Sequence, residues 1–123
     1  MAGADPTIVA VVDDNDAVRD SIRFLLEVAG HSVEVFASAA EFLKAEVGRF
    51  ACLLLDQQMP HMTGLDLAAR LRADGAAIPI ALMTCSATPA LQARADELKI
   101  GCVLEKPLIA DGILAFVRAV CGS

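Results

Sequence analysis

Four short stretches of this sequence carry residues that could do chemistry together: Asp13-Asp14, Asp56, Thr84 and Lys106-Pro107. Three follow an apolar run directly, and Lys106 follows after one intervening Glu. Taken singly, an Asp at such a place is a helix cap or turn former. Their recurrence at one strand end after another points to a site. Three carboxylates brought to one rim repel each other, so one is protonated or a cation sits among them. With no His or Cys in the set, a hard, oxygen-liganded ion is expected, and Mg²⁺ suits one or two carboxylates plus waters. A divalent ion beside Asp56 would also neutralise the oxygens of a transferring phosphoryl group. Lys106 adds a second positive charge and Thr84 a hydroxyl donor. This combination suits phosphoryl transfer onto a side-chain carboxylate.

The elements that must position these groups follow from the hydrophobic pattern. Apolar runs at Ile8–Val12, Val33–Phe36, Ala51–Leu55, Ile78–Met83 and Cys102–Leu104 predict five strands covered on both faces. Helical segments lie between and after them. Val18, Ile22, Leu25, Leu26 and Ala29 recur at helical spacing, with Asn15 or Asp16 as cap and Gly30 as stop. Ser38-Ala39-Ala40-Glu41 predicts a capping box opening a second helix. Thr63 caps a third, with Leu67 and Leu71, which ends near Asp74-Gly75. Thr88-Pro89 opens a fourth, with Leu91, Ala95 and Leu98, and Ile109, Ile113, Phe116, Val117 and Val120 mark a fifth. Five β-α units with short, right-handed connections imply an α/β fold, a doubly wound five-stranded parallel sheet with helices on both faces. In such a sheet, ligands bind beyond the carboxyl ends of the strands, where the polar groups stand.

Composition narrows the function classes. The 123 residues suit one domain, 1–123, and the 56% hydrophobic content excludes disorder. Sixteen acidic against ten basic residues, a net charge of −6, argue against direct nucleic-acid binding. The longest apolar run, Phe50 to Leu55, is far too short for a membrane span, and the start Met1-Ala2-Gly3-Ala4-Asp5-Pro6 lacks a signal peptide's basic and apolar regions. Cys52, Cys85, Cys102 and Cys121 form no CxxC pair and read as buried small hydrophobes in a reducing, cytoplasmic setting, with Cys85, directly after Thr84, set apart by its position. A flavin or nucleotide enzyme on this architecture would need a Gly- or Ser/Thr-rich cradle after strand 1, where this chain has Asp13-Asp14-Asn15-Asp16.

The ordered set Asp13-Asp14, Asp56, Thr84 and Lys106-Pro107 resembles the receiver domain of two-component response regulators, over essentially the whole chain. Residues 13–21, 38–43 and 53–60 are similar in particular to FixJ-type receivers. The resemblance implies a flavodoxin-like sheet of strand order 2-1-3-4-5 and a phosphorelay role. By it, Asp56 is the phosphoacceptor, supplied by a sensor histidine kinase or phosphotransfer protein. Asp14, Asp56 and the backbone carbonyl of Gln58 ligate Mg²⁺ directly, and Asp13 acts through water. Lys106 pairs with the phosphoryl oxygens, Thr84 hydrogen-bonds to them, and the Lys106-Pro107 peptide is cis in many relatives. Helix 1, with Arg19 and Arg23 exposed, is the kinase-docking face. Helix 4, strand 5 and helix 5 form the surface for downstream proteins or for a homodimer. The resemblance implies no enzyme beyond self-catalysed phosphotransfer and autodephosphorylation.

The sequence departs from that pattern in places. Val103 stands where the family usually has a switch Phe or Tyr, and residues 100–105 are about two residues shorter than usual. The lost aromatic leaves room for a second reading, a receiver-like scaffold that works without phosphorylation. His61 stands where the family often has Gly and reads as a solvated loop residue, and His31 as polar filler. Gln58 and Ser86 occupy positions whose side chains tune phosphoryl hydrolysis in relatives, and neither is charged.

Overall fold

The computed structural model describes residues 7–121. Strands and helices alternate as β1 (Ile8–Val12), α1 (Asp16–Val28), β2 (Ser32–Phe36), α2 (Ala39–Leu43), β3 (Phe50–Asp56), α3 (Gly64–Ala73), β4 (Ile80–Thr84), α4 (Pro89–Glu97), β5 (Cys102–Glu105) and α5 (Ala110–Cys121). A 3₁₀ turn at Val47–Arg49 leads into β3. The five strands form one parallel sheet in the order β2-β1-β3-β4-β5, as the resemblance implies.

The central strands β1, β3 and β4 are almost wholly buried, which is why they read as unbroken apolar runs. The edge strands β2 and β5 are half exposed, and Glu34 is tolerated on β2 for that reason. Side chains of one sheet face (Val12, Leu53, Leu55, Leu82) pack with Phe42 of α2, Leu67 and Leu71 of α3 and Ala95 of α4. Those of the other (Val9, Val11, Leu54, Met83) pack with Ile22 and Leu26 of α1 and Ile113 and Val117 of α5. This is the doubly wound arrangement. Phe36, Phe42 and Phe50 meet in one cluster, with centroids 5.3 to 5.8 Å apart.

The helix starts follow the cap residues. Side-chain oxygens of Asn15, Thr63 and Thr88 accept from Val18, Asp66 and Leu91 N–H. Thr63 and Asp66 complete a reciprocal capping box. At Ser38 the expected box is only half formed, because Glu41 accepts from the N–H of Ala37, not of Ser38. β4 starts at Ile80, two residues later than the apolar run suggests. Pro79 has no N–H to donate and biases Ile78 away from regular pairing, though the carbonyl of Pro79 still accepts from Leu53 N–H at 2.9 Å. Of the cysteines, Cys52 is buried as expected, Cys102 and Cys121 are only half buried, and Cys85, the one set apart by its position, is exposed. Burial, with Cys121 beside it, pushes the Cys52 thiol up to about 12.

Candidate functional site

The carboxyl ends of β1, β3, β4 and β5 deliver the predicted residues to one rim. Asp13 follows β1, and its N–H donates to Phe36 O at 3.1 Å, extending the pairing with β2. Its Oδ1 accepts from Asn15 N–H at 2.9 Å, and its carbonyl accepts from Arg19 Nη1 at 2.7 Å. Asp56 is the last residue of β3, and Thr84 the last of β4. Asp13, Asp56 and Thr84 are buried, while Asp14 is exposed. Lys106 reaches in from beyond β5, held by its own N–H donating to Thr84 O at 2.8 Å. The Lys106-Pro107 peptide is cis.

Lys106 Nζ donates to Asp56 Oδ1 at 2.8 Å and lies 3.7 Å from Asp13 Oδ2. Carboxylate oxygens of Asp13, Asp14 and Asp56 lie within 4.8 Å of one another. One ammonium cannot neutralise three carboxylates. Burial pushes Asp13 up from the usual carboxylate value, and the charge of Asp56 adds to that. Burial also raises Asp56, against the opposing hydrogen bond and charge of Lys106. Burial pulls Lys106 down, but its hydrogen bond to Asp56 and the Asp13 and Asp56 charges leave it above an ordinary Lys. Asp13 Oδ2 is buried and has no hydrogen-bond partner among the described residues, the Lys106 ammonium lying beyond hydrogen-bond reach at 3.7 Å. A buried, unpartnered carboxylate oxygen is costly unless a cation faces it. The all-oxygen donor set and this orphaned atom fit Mg²⁺.

The loop after β3 is stitched to α3 and β4. Gln57 N–H donates to Met83 O at 2.8 Å, and Gln57 Oε1 accepts from Leu65 N–H at 2.8 Å, satisfying one open donor of the α3 start. Gln58 turns its side chain across the mouth of the site towards Thr84 and Cys85. Sequence reasoning missed these side-chain roles, because they depend on contacts across some 26 residues of chain in the case of Gln58.

Other predicted residues fall outside the cluster. His61 is an exposed loop residue at φ 71°, the left-handed region that explains the family's Gly there. His31 is half buried at the entrance to β2. Val103, paired with Leu82, packs half buried against the core beneath α3 and α4. Arg19 corrects an expectation: it is not free on the α1 surface, for its side chain is only 14% exposed, bound to the Asp13 carbonyl and ion-paired with Asp16. Arg23 is exposed and pairs with Glu27 at 3.3 Å.

The family model described as response regulator receiver domain matches residues 9–118. FixJ, a transcriptional regulatory protein of Azorhizobium caulinodans, is 42% identical over 115 residues, which cover 93% of this chain and 54% of FixJ. The response regulator StyR superposes with a TM-score of 0.87 at 34% identity, over 97% of this chain and 60% of StyR. The crystal structure of FixJ-N gives a TM-score of 0.81 at 26% identity, over 97% of this chain and 96% of FixJ-N. The chain therefore belongs to the response regulator receiver domain family, the phosphoacceptor components of two-component signalling. It spans about half the length of the curated relatives it matches. Among the described residues, no helix is long and apolar enough to cross a membrane.

Proposed function

We propose that residues 1–123 act as one receiver unit in the cytoplasm, in which Asp56 takes a phosphoryl group from a phosphohistidine of a sensor kinase or phosphotransfer protein. The observation that carries this reading is the Lys106–Asp56 contact at 2.8 Å inside a cluster of three carboxylates, at strand ends of a receiver fold. A carboxylate oxygen of Asp56 forms the new P–O bond as the histidine P–N bond breaks, and the imidazole leaves. Asp14, Asp56 and the Gln58 carbonyl would hold Mg²⁺, with Asp13 behind a water. When bound, the ion supplies charge neutralisation for the phosphoryl oxygens. Lys106 orients the Asp56 carboxylate and then meets the negative charge of the arriving group, while Thr84 offers its hydroxyl. This is self-catalysed transfer in a signalling protein, with no separate enzymatic substrate.

An apolar cavity of about 540 Å³ lies beside Lys106, between α1 and the β5–α5 connection, lined by Val18, Ile22, Leu25, Pro107, Leu108 and Ile113 among others. It would suit the helix that presents the phosphohistidine, and it shares Lys106 with the acceptor Asp56. The α4–β5–α5 face is left for a downstream protein or a second copy of the chain, and the acidic surface disfavours nucleic acid. The test is borohydride reduction after treatment with acetyl phosphate and Mg²⁺, followed by peptide mapping. Conversion of residue 56 to homoserine is expected, dependent on Mg²⁺. Reduction at another carboxylate, or none, overturns the assignment.

A further inference from the structure

Thr84 Oγ1 has no hydrogen-bonding capacity to spare. It accepts from Gln58 Nε2 at 3.1 Å and from Ser86 N–H at 3.2 Å, and it donates its single hydrogen to Ser86 O at 3.2 Å. A hydroxyl has one donor and two acceptor sites, so all three are used. The neighbouring donor is occupied as well, since Cys85 N–H donates to Gln58 Oε1 at 3.2 Å. Both ends of the one carboxamide are thus bonded to successive residues at the exit of β4. Asp56, two residues before Gln58, is the group these β4 donors would serve once it carries a phosphoryl group.

We propose that the Gln58 side chain is a clasp that occupies the phosphoryl seat in the resting protein. Its carbonyl oxygen stands in for a phosphoryl oxygen at Cys85 N–H, and its amide holds the Thr84 hydroxyl turned towards Ser86. For both to donate to an arriving phosphoryl group, Cys85 N–H must leave Gln58 Oε1, and the Thr84 hydrogen must leave Ser86 O, where the Gln58 amide bonded to Oγ1 holds it. The clasp therefore opposes phosphorylation and links the loop after β3 to the exit of β4. That link runs through hydrogen bonds and needs no aromatic ring at Val103. Gln58 is a positioning residue here, acting through Thr84 and Cys85. The inference rests on the phosphoacceptor reading above.

The test compares Gln58→Ala and Gln58→Met with the wild-type protein. Met keeps the length and bulk of Gln but makes neither hydrogen bond. Two readouts are taken: hydrogen exchange of the Cys85 amide in the resting protein, and affinity for fluoroberyllate, a phosphoryl mimic, with Mg²⁺ present. In both variants the Cys85 amide is expected to lose protection, and fluoroberyllate is expected to bind roughly three- to tenfold tighter, the scale of one or two released hydrogen bonds. Adding fluoroberyllate should restore Cys85 protection. Gln58→Met behaving like wild type in either readout overturns the clasp, because a packing role alone would be kept by Met. Wild-type protein that neither binds fluoroberyllate nor takes a phosphoryl group overturns the phosphoacceptor reading, and the clasp's role with it. The exchange readout separates the two failures.

Discussion

Gly64, the first residue of α3, stands so close to Asp56, the last of β3, that a Cβ on it would lie 2.6 Å from the Asp56 carbonyl oxygen. The same atom would meet Leu82 Cδ1 at 2.8 Å and Gln57 Cα at 3.0 Å. The Leu82 methyl could rotate away, but the backbone of Asp56 and Gln57 cannot move without shifting the acceptor.

Gly64→Ala is therefore expected to act on stability and on the site together. Overpacking at this contact should cost about 1–3 kcal/mol in urea unfolding. Phosphorylation by acetyl phosphate should slow in the fraction that remains folded. A variant of unchanged stability and unchanged rate would show that the loop after β3 is free to yield.

Arg72 holds the opposite end of the molecule. Its guanidinium donates to the carbonyls of Leu98 at 2.7 Å, Ala76 at 3.0 Å, Ile78 at 2.9 Å and Lys99 at 3.2 Å, tying the end of α3 to the turns before β4 and β5. Arg72→Ala should destabilise by about 3 kcal/mol, since hydrogen bonds from a charged group are worth more than neutral ones and several carbonyls lose their partner. Arg72→Lys should recover little, because one ammonium cannot match a planar fork with several acceptors. Thermal unfolding of the two variants decides the point: a Lys variant as stable as wild type would contradict it.

The acidic cluster makes a signed prediction about pH. Burial raises Asp13 and Asp56 above the ordinary value of 3.8, so the folded state binds these protons more tightly than the unfolded chain. Their contribution to metal-free stability is thus greatest below that ordinary value and is lost as pH rises through the raised ones. Lys106 is raised too, and its contribution fades only in the alkaline range. In chelator at pH 7, Asp13→Asn should be more stable than wild type by about 1–2 kcal/mol, since it removes a buried carboxylate with an unpartnered oxygen. That advantage should shrink on acidification and on adding Mg²⁺ to the wild type. An Asp13→Asn variant less stable than wild type at neutral pH would contradict it.

His61 holds φ 71°, a conformation that an L side chain adopts at a cost and glycine adopts freely. His61→Gly should raise stability by about 0.5–1 kcal/mol, part of the relieved strain being offset by the greater freedom of the unfolded chain. Differential scanning calorimetry measures this directly, and a lower melting temperature would contradict it.

The fold and the first ring of site residues were legible in the sequence for a physical reason. A parallel sheet puts its strand ends on one rim, so Asp13, Asp14, Asp56, Thr84 and Lys106 could be assembled from strand boundaries alone. Caps at Asn15, Thr63 and Thr88 were equally local. What stayed hidden depends on which elements touch. Arg19 looks like one more exposed helical cation until α1 sets it over the Asp13 carbonyl. Arg72 looks like an ordinary surface charge until α3 brings it within reach of Leu98, 26 residues on. Gly64 gives no local signal, because the atoms that forbid a side chain there belong to the end of β3, the residue after it, and β4. Gln58 gives no sequence signal for its side-chain contacts with Thr84 and Cys85, which come only from the fold.

The measurement that bears most directly on the whole account is the intact mass of the protein after incubation with Mg²⁺ and acetyl phosphate, beside an Asp56→Asn control. The wild-type protein should gain the mass of one phosphoryl group, lose it on treatment with hydroxylamine, and gain nothing when the metal is chelated. The control should stay unmodified. An equal adduct on Asp56→Asn, or no adduct on the wild type under conditions that modify other receivers, would contradict the assignment of Asp56 as the phosphoacceptor.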